Sequence, residues 1–318
     1  MTKVLLHTDD PDTALSVLAR THPDLGPSIC TDYDGLAAAV AAEAPEIVYS
    51  CRFLPSDFPR EALIGASSVR WVSNAGSGCN HLMPWDPEQV IVTNSAGVAA
   101  EAMSNFALGA MLHFAMDVPG LMADQQARRW QVRSVRPLTG ATLVVVGVGK
   151  TGQMAARHAS ALGMRVRGVR ANPQPTEGIE CLFPTEALAD ALTGADYVLV
   201  CLPLTDRTRG MLDEAALARI GPGAVLVDLS RGGIVDHGAM VAALDDGRLR
   251  GAALDVFPTE PLPVESGLWA RRDVLISPHC SGVCDGWEAR SVEMFAENLT
   301  RWQAGQRLEN IVDPARGY

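Results

Sequence analysis

The chain has 318 residues, 47% of them apolar and 20% charged, with a formal net charge of −11. That length is comfortable for two domains with buried cores, and the acidic balance excludes nucleic acid or an anionic membrane as the main partner while leaving room for local basic sites that take small anions. Neither the N-terminal run MTKVLLHTDD nor the uncharged run Ala102 to Met116 is long and apolar enough for a signal peptide or a membrane span, and seven cysteines without framework spacing point to a reducing, cytoplasmic compartment.

Short β-type runs recur along the chain, each followed by a helical pattern. KVLLH, EIVYS, VRWVS and VIVT predict four strands before residue 95. A helical stretch from Val98 to Asp117 follows, and the sequence DVP ends it. TLVVVG, RVRGV, DYVLVC, AVLVDL, GAALDV and VLISP predict six further strands. These later runs are apolar on both faces, as in a parallel sheet covered by helices on both sides. Trp287, Val292, Phe295, Leu299 and Trp302 lie at helical spacing near the C-terminus. That helix either returns to complete the first domain or forms an ordinary terminal core helix. The alternation of strand and helix gives an α/β fold with doubly wound parallel sheets.

Gly147, Gly149 and Gly152 form G-x-G-x-x-G between a predicted strand and a predicted helix. In that context the first glycine makes the tight turn, the second lets backbone approach a pyrophosphate, and the third allows close helix–strand packing. Lys150 and Thr151 lie in the same turn; the G-x-x-x-x-G-K spacing of a nucleotide hydrolase is absent. Arg170 lies 170 − 152 = 18 residues past the third glycine, close to the ~20 at which an acid would bind a ribose 2′-hydroxyl. A guanidinium there attracts a 2′-phosphate instead, and Asn172 adds a neutral donor. The site is expected to prefer NADP(H), with NAD(H) the alternative if Arg170 is only a solvated strand-end residue.

Three later blocks, VLVDLSRGGIVDHGAM, GAALDVFPTEPLP and VLISPHCSG, follow GVGKTG in that order. Together they resemble the D-isomer-specific 2-hydroxyacid dehydrogenases, in particular the glyoxylate/hydroxypyruvate reductase branch, and the likeness covers nearly the whole chain. The resemblance implies a Rossmann-type cofactor domain, residues 98–285, inserted into a smaller flavodoxin-like substrate domain, residues 1–97 completed by 286–318. It implies a catalytic set of Arg231, Glu260 and His279. The residue chemistry agrees. Arginine can hold a planar carboxylate beside a reacting carbonyl, histidine can supply the proton that the alkoxide needs near neutral pH, and a carboxylate can orient the imidazole. Taken singly, each has a plainer reading as a surface, turn or loop residue.

Other positions transfer from the same resemblance. SNAGSGCNHL is similar to the loop whose backbone N–H groups bind the substrate carboxylate, giving Ala75, Gly76 and Ser77. CLPLTDRTRG gives Leu202, Pro203 and Thr208 beside the cofactor riboses, Leu229 and Ser230 precede the arginine, and Asp255 matches the aspartate that holds the nicotinamide carboxamide. Asn80, Cys201 and Asn105 depart from the family pattern, which puts substrate preference in doubt rather than reaction class. No metal is expected: His279, Cys280 and Cys284 lack a fourth ligand. The implied activity is reduction of a small 2-oxo acid, glyoxylate or hydroxypyruvate, to a D-2-hydroxy acid by a homodimer that uses the helix around FALGAMLHFAM. QQARRWQVRSVR is read as a solvated or subunit-contact segment. Alternatives are another D-2-hydroxyacid dehydrogenase using NAD, or a dinucleotide-sensing binding protein with little turnover. Phosphoglycerate oxidation is disfavoured because no regulatory extension follows residue 318, and formate oxidation because Glu260 stands where that branch has glutamine.

Overall fold

A computed structural model describes residues 2–52 and 57–317. The chain divides into two compact units, Met1–Val98 with Cys284–Tyr318, and Ala99–Val283.

The first unit contains β1 (Val4–His7), α1 (Pro11–Thr21), β2 (Ser28–Cys30), α2 (Leu36–Glu43), β3 (Ile47–Ser50), α3 (Glu61–Ile64), β4 (Trp71–Asn74), β5 (Ile91–Asn94) and the C-terminal helix Trp287–Gln303. Its strands form one parallel sheet in the order β2-β1-β3-β4-β5. Successive side chains in a strand point to opposite faces, and both faces here are apolar. Leu6, Tyr49 and Trp71 pack against Val17 and Leu18 of α1 and against Val292, Phe295 and Leu299 of the C-terminal helix. Leu5, Val48 and Val72 pack against Leu36, Val40 and Leu63. The C-terminal helix therefore covers one face of the first sheet, where Trp71 stacks on Trp302 at 5.6 Å and tilts against Phe295 at 5.3 Å.

The second unit runs through α4 (Ala100–Ala115), α5 (Val118–Gln126), β6 (Thr142–Val146), α6 (Lys150–Ala161), β7 (Arg165–Val169), β8 (Cys181–Phe183), α7 (Leu188–Leu192), β9 (Tyr197–Val200), α8 (Glu214–Leu217), β10 (Ala224–Asp228), α9 (His237–Asp245), β11 (Leu249–Leu254) and β12 (Val274–Ile276). Its seven strands are parallel, in the order β12-β11-β10-β9-β6-β7-β8. The chain winds outward through β6, β7 and β8, then crosses back to β9 on the other side of β6. This reversal is the topological switch point at which open α/β sheets bind ligands. One face of the sheet packs on α7, α8 and α9, the other on α4 and α6. Both units have the doubly wound parallel architecture that the alternating strand and helix patterns dictate.

The elements differ from the sequence reading at the sheet edges and around the first long helix. The three-residue edge strands β2 and β8 were not expected, because such short runs carry no usable period. The helix read as Val98 to Asp117 spans Ala100–Ala115, and DVP starts a second helix as well as ending the first. Asp117 adopts a left-handed conformation, its side chain accepts the Gly120 N–H, and Pro119 fits in the first turn where no amide bond is lost. No single helix among the described residues is long and apolar enough to cross a membrane; α4 and α5 reach that length only as a pair bent by 60°.

Phe295 joins the C-terminal helix to the first sheet through two aromatic contacts and is 1% exposed. Phe295→Ala should lower unfolding free energy by about 3–5 kcal/mol, as expected for loss of a buried aromatic ring. Urea denaturation followed by tryptophan fluorescence measures this; a loss under about 1 kcal/mol would show that the helix contributes little to the sheet.

Candidate functional site

The glycine turn after β6 has two positions that only glycine can fill. Gly147 has φ 104°, and a Cβ on it would lie 2.6 Å from the Cys201 carbonyl oxygen. A Cβ on Gly152 would lie 2.1 Å from the Gly147 carbonyl oxygen. The turn is thus closed by backbone packing against the exit of β9. Gly149 is different: a Cβ there would meet no described protein atom within 4 Å, so the space above it is open. Lys150 and Thr151 begin α6, whose first-turn amides have no helical partner. An open approach to backbone, together with free helix N–H groups, fits a dinucleotide pyrophosphate.

Arg170 leaves the end of β7 half-buried, its backbone held by the Phe183 carbonyl at 3.0 Å; Asn172 is exposed two residues on. After β9, Leu202 and Pro203 are half-buried, and the Thr208 hydroxyl donates to the Pro203 carbonyl at 2.7 Å. Thr208 therefore shapes this loop. Leu229 is in the sheet core, which leaves its backbone as the part able to meet a ligand.

Arg231, Glu260 and His279 follow β10, β11 and β12, three adjacent strands of the second sheet. Gly232 brings two of these exits together, since a Cβ on it would lie 1.9 Å from the Phe257 carbonyl oxygen. Glu260 is fixed at both oxygens. Its Oε1 accepts the Phe257 N–H at 2.9 Å, and its Oε2 lies 2.8 Å from His279 Nδ1. His279 is 44% exposed at its side chain, and Nδ1 facing the carboxylate leaves Nε2 as the outward nitrogen. Arg231 is half-buried, with Nη1 donating to the Ser230 carbonyl at 2.7 Å.

His279 has φ 53°, a left-handed conformation costing about 1–2 kcal/mol for a residue with a Cβ. Asp255 offsets this. Its Oδ1 accepts from Ser277 Oγ at 2.5 Å and from the Cys280 N–H at 2.9 Å, and its Oδ2 accepts from the Ser281 hydroxyl. The Ser281 N–H reaches both oxygens. Asp255 thus braces the turn that carries His279, a role its position in ALDVF did not suggest.

Asp228, at the end of β10, is a second buried carboxylate that the sequence reading missed; only the Asp-x-Ser spacing hinted at it. The Ser230 N–H donates to Oδ1 at 3.0 Å, and so does the Ser230 hydroxyl. Oδ2 has no described partner. Burial pushes this carboxyl up from 3.8 to about 7, the Ser230 bonds oppose the shift, the Asp255 charge adds to it and Arg231 opposes it.

The loop Ala75, Gly76, Ser77 in the first unit is held by its carbonyls. Ser291 Oγ donates to the Ala75 carbonyl at 3.0 Å, Asn74 Nδ2 to that of Gly76 at 2.7 Å and of Gly78 at 3.1 Å, and Asn94 Nδ2 to that of Ser77 at 2.8 Å. Asn74, Asn94 and Ser291 were not singled out from sequence; Ser291 lies 216 residues from the carbonyl it holds. Among the described residues, no group of three His, Cys, Asp or Glu side chains converges as metal ligands.

Residues 108–281 match the family described as D-isomer specific 2-hydroxyacid dehydrogenase, NAD binding domain. The chain is 35% identical over 237 residues to a glyoxylate reductase of Korarchaeum cryptofilum, covering 70% of this chain and 69% of that protein. It is 30% identical to a glyoxylate/hydroxypyruvate reductase A of Serratia proteamaculans, covering 82% and 85%. A D-3-phosphoglycerate dehydrogenase of Mycobacterium bovis matches at 29% identity, and there the chain spans only 54% of the relative's length. Among solved structures, a D-isomer specific 2-hydroxyacid dehydrogenase from Xanthobacter autotrophicus Py2, in complex with NADPH and MES, superimposes with a TM-score of 0.88 at 32% identity, covering 100% of this chain and 99% of that one.

The raised Asp228 carboxyl has a consequence for stability. Between pH ~4 and ~7 the folded state keeps a proton that the unfolded state releases, so this group lowers stability as pH rises through that window. Asp228→Asn keeps an acceptor for Ser230 and removes the charge. Its stability relative to wild type should increase by up to a few kcal/mol between pH 4.5 and pH 8, measured by urea unfolding at both values. A difference that does not change with pH would show that Asp228 does not titrate in that range.

Proposed function

The chain belongs to the D-isomer-specific 2-hydroxyacid dehydrogenase family, and from that premise we propose that it is an NADPH-preferring reductase of small 2-oxo acids, glyoxylate or hydroxypyruvate, yielding D-2-hydroxy acids. The observation that carries this reading is the 2.8 Å Glu260–His279 pair on the strand exit next to that of Arg231. When bound, the reduced nicotinamide supplies a hydride to the substrate carbonyl carbon. His279 Nε2 gives its proton to the carbonyl oxygen, so that C=O becomes HC–OH. Glu260 fixes the ring with Nδ1 protonated, which leaves Nε2 to face the substrate. The Arg231 guanidinium binds the substrate carboxylate through its planar fork and withdraws electron density from the neighbouring carbonyl. The backbone amides of Gly76 and Ser77 are assigned to the same anion class.

For the cofactor, Arg170 supports NADP(H), because a half-buried arginine at the end of β7 stands where an acid would repel a 2′-phosphate. Asn172, Lys150 and Thr151 join it, and Ser230 and Leu229 contribute backbone beside the nicotinamide end. We assign residues 99–283 to the cofactor and residues 1–98 with 284–318 to the substrate. A homodimer through the second unit is supported by exposed apolar side chains just after α4, on α5 and in the following segment: Met116, Leu121, Met122, Val132, Val135 and Trp130, the last fully exposed. All seven cysteines are free thiols, which supports a cytoplasmic location.

The direct test is oxidation of NADPH, followed at 340 nm, with a panel of 2-oxo acids. Saturable turnover of glyoxylate or hydroxypyruvate is expected; tight dinucleotide binding with no turnover of any member would favour a sensing role. His279→Asn should lower kcat by about 10²–10⁴-fold, the range for a lost general acid, with NADPH affinity unchanged by fluorescence titration. Equal losses in both would remove His279 from the chemistry.

Wild type should bind NADPH more tightly than NADH by roughly 10- to 160-fold, the equivalent of a charge-assisted contact worth about 1.5–3 kcal/mol. Arg170→Asp should reverse the order, and raised salt should narrow the gap in wild type. Parallel titrations of both cofactors decide this, and equal wild-type affinities would make NAD(H) the better assignment.

A further inference from the structure

The carbonyls of the loop after β4 are fixed in a way that determines where its amides point. A trans peptide unit is planar, with its N–H directed opposite to its C=O. Holding the carbonyl of one residue therefore aims the amide of the next. The Ser291 hydroxyl holds Ala75 O and so aims the Gly76 N–H. Asn74 Nδ2 and the Ser95 N–H hold Gly76 O and aim the Ser77 N–H. Asn94 Nδ2 holds Ser77 O and aims the Gly78 N–H. The amides of Gly76, Ser77 and Gly78 donate to no acceptor among the described residues.

We propose that Asn94 and Asn74 are positioning residues for an anion cradle built from the amides of Gly76, Ser77 and Gly78, and that the cradle takes a small carboxylate. The inference rests on the 2-oxo acid reading for the identity of that carboxylate, and it extends the cradle to Gly78. Asn94 is the more decisive of the two. Among the described residues Ser77 O is held by Asn94 alone, whereas Gly76 O has two donors. Asn94 is 8% exposed, and its Oδ1 accepts the Ala96 N–H at 3.1 Å, which fixes the amide with Nδ2 toward the loop. N–H dipoles held before the ligand arrives bind an anion with little reorganisation cost.

Asn94→Asp is the isosteric test. It keeps an acceptor for Ala96 and places a carboxylate oxygen against Ser77 O, which turns that peptide unit and withdraws the Gly78 amide. The probe is oxalate, a small dianion that cannot be reduced. In ¹⁵N-labelled wild type with saturating NADPH, oxalate should shift the amide resonances of Gly76, Ser77 and Gly78 saturably. In Asn94→Asp the oxalate Kd should rise at least about tenfold, with NADPH affinity near wild type and a lower melting temperature, because the new carboxylate is buried against a carbonyl. If the wild type reduces a 2-oxo acid, its KM should rise by a similar factor while kcat changes far less, a split that general destabilisation does not produce. Should Asn94→Asp not fold, Asn94→Ala removes the donor without adding charge and is read in the same way. Loop amides that ignore oxalate in wild type, or an unchanged oxalate Kd in both variants, would overturn the proposal. Failure of the wild type to reduce any 2-oxo acid would instead count against the reductase reading, and the oxalate titration would still decide the cradle.

Discussion

Parallel pairing carries every strand of the second sheet to its exit on the same edge. The chemistry of that unit depends on this constraint. The strands are apolar on both faces and covered by helices, so they have no side chain to spare for a ligand. The residues just beyond their C-terminal ends do. Six strands send out Gly147, Arg170, Leu202, Arg231, Asp255 and His279. Lateral order in the sheet then becomes lateral order in the site: the glycine turn and Arg170 on β6 and β7, the arginine, acid and histidine on β10, β11 and β12. Gly232 tightens the last group, because only a residue without a Cβ lets its loop rest against the Phe257 carbonyl.

Two buried carboxylates at that edge show how differently similar groups can be settled. Asp255 receives two hydroxyls and two amides, so both its oxygens are satisfied while it holds His279 in a left-handed turn. Asp228 receives one hydroxyl and one amide on a single oxygen, and the other has no partner among the described residues. Unsatisfied burial disfavours charge, and the Asp228 carboxyl rises accordingly. The first acid stabilises the geometry of the reactive loop. The second makes the strand end beneath Arg231 sensitive to protonation.

Much of the fold was legible because burial writes itself into composition. Runs such as LVVV and YVLV, apolar throughout and followed by helical periods, state the parallel sheet directly. The glycines of the turn were legible for a similar reason, since backbone closeness excludes other residues. SIC and CLF were not legible as strands, because three residues pairing on a sheet edge owe their state to the neighbour rather than to themselves. The start of α5 was hidden because Asp-Val-Pro reads equally as a stop. The sequence order of Arg231, Glu260 and His279 was visible, but the brace behind His279 was not: Asp255 works through Ser277, Cys280 and Ser281, and only folding makes them neighbours. Ser291 is the extreme case, holding a carbonyl 216 residues away.

The two units also differ in the kind of recognition that they offer, and this bears on what each can discriminate. Arg231 and His279 present side chains, whose loss is visible as a changed letter. The loop after β4 presents peptide amides, which every residue but proline possesses. The direction of those amides is therefore set largely by the tethers, and Asn94 and Ser291 carry a constraint that the sequence SNAGSG conceals. Amides aimed at a carboxylate recognise the part that all 2-oxo acids share and are indifferent to the group on the other side of the carbonyl. In a site of this kind, choice among such acids would have to come from side chains around that second group.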